Sequence, residues 1–180
     1  MSLPTIFSRF SAFGFSGSRS ELPSFGAASR VVSLVPTSAS VFIGCASGVD
    51  AYFRWRFPSA SVFYASSFGS GPGAFAARSV AVVRAVAAAD GLWVSFPCSP
   101  YPAGLLPSAS SSRAFCGSGS GSWASLAFAL GSGVPSLVFL GCSLPCPRGW
   151  GLIPVPGWSG WFGCSVACGV RPAHTQLSLL

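Results

Sequence analysis

Residues 40–57, SVFIGCASGVDAYFRWRF, contain one complete folding unit. A short apolar run, SVFIG, stops at Gly44, a small-residue turn follows, and VDAYFRWRF reads as a helix with Asp50 beside its start, placed either to cap it or to meet a ribose. The unit repeats on both sides. Upstream, AFGFS (12–16) is a buried strand, GSR (17–19) its turn, and 21–36 a helix with Leu22, Phe25, Val31, Val32 and Val35 at roughly helical spacing before Pro36. Downstream come the strand SVFYAS (61–66), the turn GSGPG (69–73) and an Ala/Val helix whose Val80, Val83 and Val86 form one apolar stripe. The strand GLWVSF (91–96), a Pro/Ser-rich loop (97–112), the turn and helix GSGSGSWASLAFAL (117–130) and the strand PSLVFLG (135–141) complete the series.

Strands that alternate with helices, with no hairpin signal between them, imply a parallel sheet covered on both faces. The expected fold is therefore α/β, a Rossmann-like three-layer sandwich with a five-stranded, mostly parallel sheet over residues 12–141 and an irregular N-terminus at 1–11. Residues 142–180 change character: Pro145, Pro147, Pro154 and Pro156 alternate with glycines and Trp150, Trp158 and Trp161. Proline at that spacing stops helices and confines strands to sheet edges, so this tail is expected to pack on the domain as irregular chain or a short hairpin. If exposed, its tryptophans would instead offer a surface for a partner or for self-association as a homo-oligomer.

Only 7% of the 180 residues are charged, against roughly 25% in ordinary soluble domains. All ten basic residues are arginine, and the net charge is +7. Arginine favours planar, bidentate contact with phosphate or carboxylate, which points to nucleotides, nucleic acid or another anionic surface. A GC-rich coding sequence would produce the same Arg-for-Lys bias, so composition alone assigns no partner. The uncharged stretch 114–147 is cut by glycine and proline into pieces too short to span a bilayer. With no secretory signal pattern at the start, the expectation is a cytoplasmic protein without membrane contact.

Seven cysteines, an odd number, fit free thiols better than a disulfide framework. Cys142/Cys146 and Cys164/Cys168 have C-x3-C spacing, which differs from the usual zinc knuckles, and small buried hydrophobes are the favoured reading, with no metal and no cofactor expected.

Open parallel sheets bind ligands beyond the carboxyl ends of their strands. Four glycine corners fall at that edge: Gly17–Arg19, the loop 44–50, the turn 69–73 and the turn 117–122. Glycine lets backbone approach an anion, and helix-start amides attract negative charge. The order GFSGSR, FIGCASGVDA, GPGAFAARS, AADGLWVSFP and GSGSGSWASLAFALGSGVPSLVF resembles the SLOG superfamily, which includes DprA/Smf, the YspA-like proteins and the LOG phosphoribohydrolases. The likeness spans about residues 12–141 and is closest to the YspA/DprA branch.

Gly17, Ser18 and Arg19 match that branch's first-strand Gly-Ser-Arg, and Gly44, Ala46, Gly48 and Asp50 match its second loop, with Cys45 in place of a glycine. Gly71, Pro72 and Arg78 match the Gly-Pro and Arg-Asn segment, with Ser79 where asparagine is customary. Gly117, Gly119, Gly121 and Ser122 match the late glycine turn. The resemblance implies a sheet-edge pocket for a nucleotide, a nucleotide-derived phosphorylated ligand or the backbone of single-stranded DNA, with Arg19 and Arg78 pairing phosphate. The LOG enzymes carry a catalytic Glu on the helix after their glycine turn. Here SWASLAFAL has no ionisable residue, which favours binding over hydrolysis. A nucleotide hydrolase using Asp50 or Glu21 is the rival reading.

Among the remaining candidates, Arg54 and Arg56 flank Trp55, and the favoured arrangement is a helix end with Trp55 in the core and both arginines in water; base stacking is the alternative. Asp90 reads as a turn residue. Glu21 reads as an orienter of Arg19 or a helix-start charge. His174, alone in the tail, has no partner that would make it catalytic.

Overall fold

The computed structural model describes residues 1–169 except 21, 23, 72 and 118. Glu21, Pro72 and His174, singled out above, therefore lie outside the described residues. Among the described residues, seven strands form one mixed sheet: β1 (Ala12–Gly17), β2 (Ser40–Gly44), β3 (Ser61–Phe63), β4 (Leu92–Phe96), β5 (Ser136–Phe139), β6 (Leu152–Pro154) and β7 (Trp161–Cys164), in the order β3-β2-β1-β4-β5-β7-β6. The first five run parallel, with β1 between β2 (Phe13 opposite Val41) and β4 (Phe15 opposite Val94). The chain order reverses there, because β2 and β3 extend to one side of β1 and β4 and β5 to the other.

Side chains alternate across each strand, and this alternation builds two cores. Phe13, Phe15, Leu92, Val94, Phe96 and Leu137 face α1 (Leu3–Phe7), α2 (Phe25–Leu34) and α3 (Val49–Arg56). Trp93 and Val138 face α4 (Gly73–Ala88), α5 (Ser111–Ala114) and α6 (Gly121–Gly131). The expected stripe on α4 is buried, with Val83 and Val86 at 0% exposure. Gly14, pointing to the second face, lies under Val86 and the Trp93 ring, where a Cβ would overlap both.

Three expectations are corrected. The sheet has seven strands rather than five, because the tail adds β7 antiparallel to β5 and β6 antiparallel to β7. Gly157 and Gly160, at φ 75° and 77°, turn the chain between them, and Pro154 sits on the edge strand, where a missing N–H is tolerated. Trp161 enters the first core and Trp150 the second, each 4% exposed. The start of the chain is also not irregular: α1 spans Leu3–Phe7, the Ser2 side chain accepts from the Thr5 amide, and Phe7 stacks on Phe13 at 5.3 Å. Trp55 is not in the core; it is 72% exposed, with Arg56 over its ring at 5.2 Å. Among the described residues, no helix is long and apolar enough to cross a membrane.

Candidate functional site

β1 ends against α3 with no room for side chains. A Cβ on Gly17 would stand 2.5 Å from Val49 Cγ2 and 2.7 Å from the Phe96 carbonyl. Beyond it the Ser18 amide donates to the Phe96 carbonyl (3.1 Å), and the Ser18 carbonyl accepts from the Val49 amide (2.9 Å). Gly48, at φ 62°, crosses directly over that same carbonyl, where any side chain would overlap it. Ser47 Oγ donates to the Arg19 carbonyl (2.7 Å), so the corners after β1 and β2 are bonded into one rim.

The second loop is held from behind. Arg54 Nη1 donates to the carbonyls of Gly44 (2.7 Å) and Ala46 (2.8 Å), so Arg54, expected in water, is a half-buried clamp. Asp50 lies in the first turn of α3, whose N-cap is Gly48. Its Oδ2 accepts from the Ala46 amide (3.2 Å) and from Arg78 Nη1 (2.8 Å). Asp50 therefore ties its own loop to α4 instead of capping a helix.

Arg78, expected to pair phosphate, is 5% exposed and ion-paired with Asp50. Its guanidinium occupies the space a Cβ on Gly44 would need, and its Nε is buried with no hydrogen-bond partner among the described residues. A buried donor left unmatched costs about 1–3 kcal/mol, which the packing around this wall has to offset.

These groups enclose a cavity of ≈ 330 Å³ beyond the carboxyl ends of β1 and β4, where the strand order reverses. Gly17, Ser18 and Arg19 line it from β1; Gly44, Ala46 and Asp50 from the second loop; Arg78 from α4; and Gly119, Gly121 and Ser122 from the start of α6. Gly48 stays outside, serving the rim as described. Gly117 lines an adjoining chamber instead, and Gly71 lines neither, its carbonyl accepting from the Ala74 amide at 3.0 Å.

The floor was not foreseen in the sequence. Ser16 lines the cavity, 8% exposed, and its hydroxyl meets that of the fully buried Ser95 at 3.1 Å between β1 and β4. Trp93 also lines the cavity, and its Nε1 is a second buried donor with no partner among the described residues. Alternation along β1 and β4 places these residues on the α4/α6 face; the role of Ser16 and Trp93 as floor depends on the strand pairing, which no local pattern shows.

The first amides of a helix have no intrahelical acceptors, and those of α6 begin at the cavity wall. Ser120, its N-cap, makes no side-chain cap; its hydroxyl lies 2.6 Å from that of Ser122. Arg19 is exposed, with Cζ 4.7 Å from the Phe75 ring centroid. Asp50 is the one carboxylate among the described lining residues, and it is committed to Arg78. Such a site suits anion binding and supplies no uncommitted carboxylate for proton transfer.

Among the described residues no group of three or more His, Cys, Asp or Glu is placed to hold a metal. Cys164 accepts from the Ser136 amide at 3.2 Å, and Cys168 belongs to the first core. Comparison with protein-family models, curated proteins and solved structures gives no match.

Proposed function

We propose that the chain binds the phosphate of a nucleotide, or of a nucleotide-derived ligand, in the cavity at the β1/β4 crevice, on the plan of the SLOG proteins it resembles. The observation that carries this is the convergence of three glycine corners from distant parts of the chain on one cavity that Arg78 and the start of α6 also line. The phosphate lies at the α6 amides, Arg19 closes over it from the rim, and Arg78, paired with Asp50, shapes the wall beside it rather than offering a free charge. The protein acts as a binding module in the cytoplasm rather than as a hydrolase.

Calorimetric titration with mononucleotides and ribose 5-phosphate tests the reading; saturable binding by phosphorylated ligands and none by the matching nucleosides is expected. Titrations at two salt concentrations separate this from the DprA-like alternative. A short single-stranded oligonucleotide that binds tighter than any mononucleotide, with affinity falling steeply in salt, would assign the crevice to a DNA backbone instead. Release of base or phosphate from the nucleotides would make the protein an enzyme.

A further inference from the structure

A second chamber of ≈ 280 Å³ opens beside the first, and Arg19, Ser79, Gly119, Ser120 and Gly121 belong to the walls of both. Its chemistry differs. Phe75 of α4 and Phe115 after α5 supply aromatic rings, with Pro102, Leu105 and Ala124 completing an apolar wall. The hydroxyls present are already engaged: Ser79 Oγ donates to the Phe75 carbonyl (2.9 Å), and Ser120 Oγ meets Ser122 Oγ. No carboxylate or amide side chain is among the described residues of this wall. A group lodged here is gripped by ring and apolar contact, with little to read its polar edge.

Size decides between two ligands and one. Small-molecule sites occupy roughly 300–1,000 Å³, so the first cavity is near the lower limit and the second falls short of it alone. A single ligand with an anionic end and a flat apolar end fits the pair. Arg19 stands at the junction, held over the Phe75 ring by a cation–π contact while its N–H groups serve an anion.

We infer that the second chamber receives the base of the same nucleotide whose phosphate fills the first, and that it accepts purines and pyrimidines with little discrimination. This rests on the phosphate reading above. Stacking on aromatic rings strengthens binding by about ten-fold or more per base and is tolerant of base identity.

The test titrates the full chain with ribose 5-phosphate and with AMP, GMP, CMP and UMP. The four nucleotides are expected to bind within a few-fold of one another and about ten-fold or more tighter than ribose 5-phosphate. Phe115→Ala, at a half-buried ring that lines the second chamber and not the first, and Ala124→Leu, which fills the chamber, each remove that advantage and leave ribose 5-phosphate binding unchanged. Melting curves confirm that both variants fold, and Leu105→Ala replaces either one that does not. Equal affinity for ribose 5-phosphate and nucleotides, or a loss shared equally by ribose 5-phosphate, overturns the base chamber while leaving the phosphate site standing. A preference of about 100-fold for one base overturns the indiscriminate readout. Absence of binding by every probe overturns the phosphate reading itself, and this inference with it.

Discussion

Arg78 Nη1 lies 2.8 Å from Asp50 Oδ2, with both side chains under a tenth exposed, and this pair joins α4 to the loop after β2 at the wall of the cavity. Two residues that the sequence offers as separate ligand groups are thus each other's main partner. Together they set the shape of this wall.

Breaking the pair from one side strands a buried charge. Asp50→Ala is expected to cost about 3–5 kcal/mol, whereas the double variant Asp50→Leu/Arg78→Met costs clearly less because neither charge remains. Gly44→Ala, which drives a Cβ into the Arg78 guanidinium, is expected to cost about 1–3 kcal/mol. Urea denaturation midpoints of the three variants check this ordering.

Arg19 carries the mobile share of the positive charge. Arg19→Ala should weaken ribose 5-phosphate binding by about ten-fold, the effect of losing one charge-assisted hydrogen bond at a partly wet site. The melting temperature of the unliganded protein should hardly change, since Arg19 is exposed. Calorimetry and thermal melts of the same preparation measure both; unchanged affinity would remove Arg19 from the site.

Cys98 provides an independent view of the cavity. It is exposed and belongs to the first cavity's wall, whereas Cys142 is exposed and belongs to neither chamber. A bound nucleotide should slow alkylation of Cys98 several-fold and leave Cys142 unaffected, as read by peptide mass spectrometry. Equal rates with and without ligand would place the ligand elsewhere.

The parallel sheet was legible because SVFIG, GLWVSF and their counterparts are short apolar runs cut by glycine, and the helix periods between them are clear. The convergence of Gly17, Gly44 and Gly121 followed from that topology alone. What was not legible depended on contacts distant in sequence. Arg54 reads as a surface cation until the Gly44 and Ala46 carbonyls are seen beneath it, and α1 is too short, at five residues, to show a period. β7 is four residues long, with Gly163 where a core side chain would have signalled burial. That glycine has its reason in packing, since a Cβ would stand 2.7 Å from Leu137 Cδ2 and 2.8 Å from Cys168 Sγ.

The Arg54 clamp should matter for stability and binding together. Arg54→Ala removes two charge-assisted bonds to loop carbonyls, at an expected cost of roughly 1–2 kcal/mol given partial solvent access. The freed loop then lowers ligand affinity without touching the ligand. Because both bonds come from the one Nη1, an ammonium that reaches the same place can make them too, so Arg54→Lys should recover part of the loss. Denaturation and calorimetry on the two variants give the comparison.

Cys168 sets a limit at high pH. Burial pushes its thiol above the ordinary 9.0, the nearby Cys164 raises it further, and the N-terminal amine and Arg9 pull the other way. Burial likewise raises Cys146. In the unfolded chain both thiols ionise at their ordinary value, so above it the unfolded state loses protons that the folded state still holds. Their contribution to stability is therefore fully present below pH 9.0 and is lost as pH rises from there through the folded-state values. Urea midpoints are expected to fall less above this point for Cys146→Ala/Cys168→Ala than for the parent chain, while below it the two curves run parallel, offset by the packing lost with the thiols. If the curves stay parallel throughout the alkaline range, the thiols do not govern the loss and another buried group does.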